Sequence, residues 1–150
     1  MSFDVHAMRF HEGETVPGDA AAVRAVLSAH PYGHDPDFEA YYVDLGDGRR
    51  VEMYAEGFDG EGIDGAMFAL RGLDEVTADF IFRFCHAAGF VCVAATDPPC
   101  VLLTDPAQMA DLPDDLASDA IPIANGRELL AALDGGYEAW RRYVEQIDAR

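Results

Sequence analysis

Phe38-Glu39-Ala40-Tyr41-Tyr42-Val43-Asp44-Leu45, then Gly46-Asp47-Gly48, then Arg49-Arg50-Val51-Glu52-Met53-Tyr54-Ala55, is the stretch that decides the fold. Two β-favouring runs joined by a short glycine-rich turn spell a hairpin. Side chains alternate along a strand. If Val51, Met53 and Ala55 face a core, Tyr41, Val43 and Leu45 lie beside them, and Phe38, Tyr42 and Tyr54 turn to the opposite face.

Outward from the hairpin, Phe3 to Phe10 alternates as a strand, with Phe3, Val5 and Ala7 on one face and His6, Met8 and Phe10 on the other. A glycine-rich acidic loop over 56–65 leads to a strand from Ala66 to Arg71. Phe90 to Ala95 is apolar on both faces, as a doubly covered central strand should be, and Val101 to Thr104 reads as a short edge-like strand. Pro17-Gly18-Asp19 caps a helix over Ala20–Ala29. Asp74 caps another that reaches Ala88, with Gly89 in the left-handed closing position. The run from Asp105 to Asp119 has five acids and no base, which suits a solvated loop or a short helical turn. Asn125 with Glu128 opens a short helix to Leu133. Gly135-Gly136 is expected to break it before a last helix over Tyr137–Ile147, with Tyr137, Trp140, Val144 and Ile147 along one side. The order βαβββαββαα predicts an α+β fold, a mainly antiparallel sheet with helices packed on it. Residues 1–150 are expected to form one domain, since that length suffices to bury a core.

The chain carries 28 acids against 10 basic residues, all ten of them arginine, for a net charge of −18. Without lysine there is no Schiff-base or pyridoxal chemistry, no lysine-bearing phosphate loop and no kinase-type strand lysine. Such a charge repels phosphate backbones and anionic lipid, so neither nucleic acid nor membrane is an expected partner. A basic protein, or a second copy, is. No apolar run is long enough to span a bilayer and the N-terminus lacks a secretory pattern. Cys85, Cys92 and Cys100 show no CxxC pattern and lie in apolar contexts, as compact hydrophobes of a reducing cytoplasm would.

Few residues point to chemistry. His30, His34, Asp35 and Asp37 crowd one stretch and are the weak candidates for a divalent metal site, but no HExxH or Cys/His set accompanies them. The acidic glycine loop over 56–64 lacks the ligand spacing of a calcium loop. Cys85 and His86 are helix neighbours, about 100° apart around the axis, and cannot form a dyad. No cofactor is expected.

The sheet offers a better candidate. Phe38, Tyr42, Tyr54 and Phe10 give its second face more aromatic area than an antiparallel sheet leaves wet. The C-terminal helices, with Leu129, Leu133, Tyr137 and Trp140, are its first expected cover; a second copy and a different partner are the others. Phe82, on the helix face away from Phe80 and Phe84, is a further candidate contact.

The opening Met1-Ser2-Phe3-Asp4-Val5 with Arg9-Phe10 and Gly13-Glu14, and the closing Gly136-Tyr137 with Trp140 and Tyr143, resemble a loose group of small bacterial proteins that begin this way. The resemblance spans about ten residues at each end and implies no activity for any position. On the acidic charge and the aromatic patch alone, the functional expectation is a non-enzymatic, immunity- or inhibitor-like module binding a basic partner. The alternatives are a small enzyme or ligand- or metal-binding domain using His30, His34 or His86, and a homodimeric structural subunit.

Overall fold

A computed structural model describes residues 2–57, 60–94, 96 and 99–148, with the backbone alone at 138–141, 143, 144 and 148. The fold is α+β, with a mainly antiparallel sheet packed with helices. The hairpin forms as read: β5 (Ala40–Gly46) pairs with β6 (Arg49–Glu56), with Tyr41 opposite Met53 and Val43 opposite Val51. Its turn holds Gly46, Asp47 and Gly48 at φ of 88°, 53° and 77°, a left-handed run that glycine and aspartate tolerate best.

The sheet grows from that hairpin in both directions. β4 (Tyr32–Asp35) flanks β5 at one edge; β8 (Gly65–Leu70), β1 (Phe3–His11), β9 (Val91–Ala94), β10 (Cys100–Leu103) and β11 (Ala120–Pro122) follow β6 in that order. Only the β10–β11 pair is parallel among these. β2 (Glu14–Val16) folds back on β1, while β3 (Gly18–Asp19) and β7 (Gly62–Ile63) form a small separate ladder. The six strands expected from the sequence are present. Among the described residues β2, β3, β4, β7 and β11 join them, and β10 is internal because β11 pairs outside it.

One face of the sheet carries the helices. α1 (Ala20–Leu27) starts on Asp19, whose carboxylate accepts the Ala22 N–H at 3.0 Å. α2 (Glu75–Ala88) starts on Asp74, which accepts from Thr77, and stops at Gly89 with φ 79°. Phe84 of α2 meets Phe68 of β8 edge to face at 5.3 Å, and Val5, Val43, Met53, Leu129 and Leu133 are buried in the same apolar cluster.

α4 (Gly126–Asp148) is one continuous helix, so Gly135-Gly136 does not break it. A Cβ at Gly136 would lie 2.7 Å from Thr96 Cγ2. That glycine serves close packing rather than termination. α4 packs on the helix side of the sheet, where the Tyr137 ring meets Phe3 at 5.8 Å. The expectation that the C-terminal helix covers the second face is thereby corrected: its buried leucines Leu129 and Leu133 belong to the core on the first face. The side chains of Trp140, Tyr143 and Val144 lie outside the described residues.

Candidate functional site

The second face divides into two halves at β1. Over β9 and β10, Val91, Val101 and Leu103 are buried with Leu112, and Phe10, Val93, Leu116 and Ala117 pack against them. The cover is the acidic segment itself: a 3₁₀ turn (Pro106–Asp111) and α3 (Asp114–Ala117) place Leu112 and Leu116 inward and the carboxylates outward. A capping box at Asp105 and Gln108 shapes it. Gln108 also locks the segment to the sheet. Its amide accepts from Thr104 N at 2.9 Å and donates to Thr104 Oγ1 at 3.1 Å, while the buried Thr104 hydroxyl donates to Phe90 O at 2.8 Å.

Over β8, β6 and β5 the face carries no such cover among the described residues. Tyr42, Tyr54 and Met67 are half-buried and join neither apolar cluster. Polar partners hold the rings instead. The Arg50 guanidinium lies 4.3 Å from the centre of the Tyr42 ring. Tyr54 donates its hydroxyl to Glu52 Oε1 at 2.7 Å, and Arg71 reaches Glu52 Oε2 at 3.5 Å. The hydrogen bond to Glu52 pushes the Tyr54 hydroxyl above its ordinary range. Tyrosines oriented in this way lose little rotamer freedom on contact with a partner.

Of the five aromatic candidates, Tyr42 and Tyr54 stand on this open half and Phe38 stands at its corner, 71% exposed. Phe10 lies under the acidic cover and Phe82 lies on α2, stacked at 5.6 Å on His86. Met67 is the contributor that hydrophobic reading of the hairpin missed. Its alternation with Ala66 and Phe68 in the strand was the available signal.

The metal candidates separate. His30 lies in the turn after α1, with its N–H on Leu27 O at 3.0 Å and its ring edge-on to Phe80 at 5.4 Å. His34 stacks on Tyr41 at 4.2 Å with Glu39 3.8 Å away, and Asp35, the next strand residue, points to the opposite face. Asp35 is engaged by the Asp37 N–H at 3.1 Å. Among the described residues no group of three or more His, Cys, Asp or Glu side chains is arranged to hold a metal. In the 56–64 loop, Gly60 O accepts from Arg24 at 2.9 Å, and Asp59 lies outside the described residues.

A groove of about 340 Å³ lies where α2 ends, lined by Arg9, Phe10, His86, Gln108 and Asp111 among others. His86 Nδ1 lies 3.1 Å from Thr104 O; as donor there it leaves Nε2 without a partner among the described residues. Among the described residues that line the groove there is no serine, threonine or cysteine. Cys85 is fully buried, and burial together with the neighbouring Cys92 thiol pushes its thiol well up. Burial raises Cys100 too.

The fold and this surface define a class: an acidic α+β protein with its longer helices on one face of its sheet and, among the described residues, half of the other face uncovered. No family model matches the chain, and no curated protein or solved structure matches it. No helix among the described residues is long and apolar enough to cross a membrane.

Proposed function

We propose that the chain is a non-enzymatic interaction module of the cytoplasm that binds a more basic protein through the open half of its sheet, as an immunity or inhibitor protein does. One observation carries the reading. The same chain builds a dedicated cover over half of the second face, and among the described residues the half bearing Tyr42, Tyr54 and Met67 has none. Oriented tyrosines are favoured anchors at interfaces, and the net charge of −18 steers a basic partner toward them. The three free cysteines suit a reducing compartment.

The test is capture from the native host's lysate, with wild type, a Tyr42→Ala/Tyr54→Ala variant and Met109→Ala, which alters the cover, run side by side. One basic protein retained at moderate salt by wild type and Met109→Ala, and lost from the tyrosine variant, is the expected result. A hot-spot tyrosine contributes on the order of 2 kcal/mol, roughly 30-fold in affinity, so the loss should be evident. Equal retention by all three would remove this face as the site.

A second reading is favoured by the His86 groove, whose fixed imidazole suits a small-ligand or catalytic domain. A small molecule that raises the melting temperature of wild type but not of His86→Ala would support it. Unaltered responses across a metabolite screen would leave it without basis.

A further inference from the structure

We infer that the corner of the open half, where β5 begins and β6 runs beside β8, is a socket for an arginine side chain of the partner. The inference rests on the interaction reading above and names the group that this reading would bring to the sheet. A cavity of about 340 Å³ lies between Phe38, Glu39, Tyr54, Glu56, Asp64 and Met67. Its wall is aromatic and its rim is acidic.

Each part is fixed by the chain. The Tyr54 ring is held through its hydroxyl on Glu52. Phe38 stands out on a turn closed by its own N–H on Asp35 O at 3.3 Å. That turn ends at Glu39 with φ 50°, an unfavourable angle for a non-glycine residue, and the Ala55 N–H holds Glu39 in place by donating to its carbonyl at 3.2 Å. On the rim, the Asp64 N–H donates to Glu56 O at 3.1 Å, which ties the link between β7 and β8 to the end of β6 and brings both acids to the cavity. Neither carboxylate has an ion-pair partner among the described residues.

This pairing of surfaces fits a guanidinium better than other groups. The methylene stem of arginine lies along apolar surface such as Met67, its planar head stacks on an aromatic face, and its forked N–H groups donate to carboxylates. A second copy fits poorly. It would set rim against rim at −18 per chain, and the arginines of the open face, Arg50 and Arg71, are already engaged by Tyr42 and Glu52.

The experiment titrates the whole protein with acetyl-Gly-Arg-Gly-amide and with its uncharged citrulline counterpart, read by methionine-methyl and amide NMR. The arginine peptide is expected to give saturable, millimolar-range shifts at the Met67 methyl and at the amides of Phe38, Tyr54 and Asp64. Citrulline should give none. A Glu56→Gln/Asp64→Asn variant should bind on the order of tenfold more weakly and Phe38→Ala about threefold. Equal responses to both peptides would overturn the socket. So would arginine-induced shifts confined to residues 105–119, or Met67 shifts that follow protein concentration without peptide, which would assign the corner to a second copy. A partner lost by Tyr42→Ala/Tyr54→Ala but kept by Glu56→Gln/Asp64→Asn would overturn the socket and leave the interaction reading standing. Arginine-selective binding here with no basic protein recovered would do the reverse.

Discussion

The two halves of the second sheet face start from the same problem and solve it differently. Both present apolar side chains away from the helices, because strands buried on one side still alternate. Over β9 and β10 the chain answers with Leu112 and Leu116 and a polar lock through Gln108 and Thr104. Over β5, β6 and β8 it answers with Arg50 on Tyr42 and Glu52 on Tyr54, contacts that leave the rings accessible. The first arrangement is packing, closed to solvent. The second holds the rings through polar partners, with Arg50 over the Tyr42 ring and Glu52 on the Tyr54 hydroxyl, and leaves them half-buried at the surface.

The comparison breaks most readily at Leu103, whose side chain is 1% exposed under the cover. Leu103→Ala should cost about 2–5 kcal/mol in urea denaturation. Tyr54→Ala on the open half should cost less than half as much; comparable losses would mean that the open half is packed after all. Thr104→Val should cost about 1 kcal/mol, since it removes the buried hydroxyl's bonds to Phe90 O and Gln108 and leaves those two groups only their own 3.3 Å bond to each other.

Arg49 and Arg50 sharpen the contrast further, being neighbours on β6 that point to opposite faces. Arg49 pairs with Asp74, the cap of α2, whereas Arg50 lies on the open half. Arg49→Ala should therefore destabilise the protein more than Arg50→Ala. Burial works against charge on Asp74, but the Thr77 N–H and the Arg49 guanidinium outweigh it and hold the carboxyl below its ordinary range. A carboxyl depressed in the folded state stabilises above its unfolded pKa of about 4 and loses that contribution as pH falls through the folded value. The difference between Arg49→Ala and wild type should accordingly shrink below about pH 4 in acid denaturation.

The smallest effect is spectroscopic. Tyr54, raised by its bond to Glu52, should ionise above the ordinary tyrosine value in an ultraviolet titration, and Glu52→Gln should lower its midpoint. Because the folded value is the higher one, any linked stability is complete below about pH 10 and is lost above it.

Much of this contrast was legible in the residues. The hairpin turn, the Asp74 cap, the left-handed Gly89 and the alternation that sends Tyr42 and Tyr54 away from the core all follow from local chemistry. What was hidden depended on distant contacts. The cover reads as a solvated loop because its acids outnumber Leu112 and Leu116, and a 3₁₀ turn has no helical period to reveal them. Gly136 reads as a breaker, yet its role is to admit Thr96. Which face a C-terminal helix takes is likewise a tertiary choice: α4 places Leu129 and Leu133 beside α2, and its amphipathic spacing would have served either face. Short strands such as β4, bracketed by Pro31 and Pro36, carry too few residues to show alternation.

The five methionines allow the two halves to be read in one spectrum. Met67 stands on the open half, Met109 on the cover and Met53 in the core. With the captured basic protein added to ¹³C-methyl-methionine-labelled chain, the Met67 resonance should shift or broaden while Met109 and Met53 stay in place. A complex that moves Met109 and leaves Met67 untouched would contradict the assignment of the open half as the binding surface.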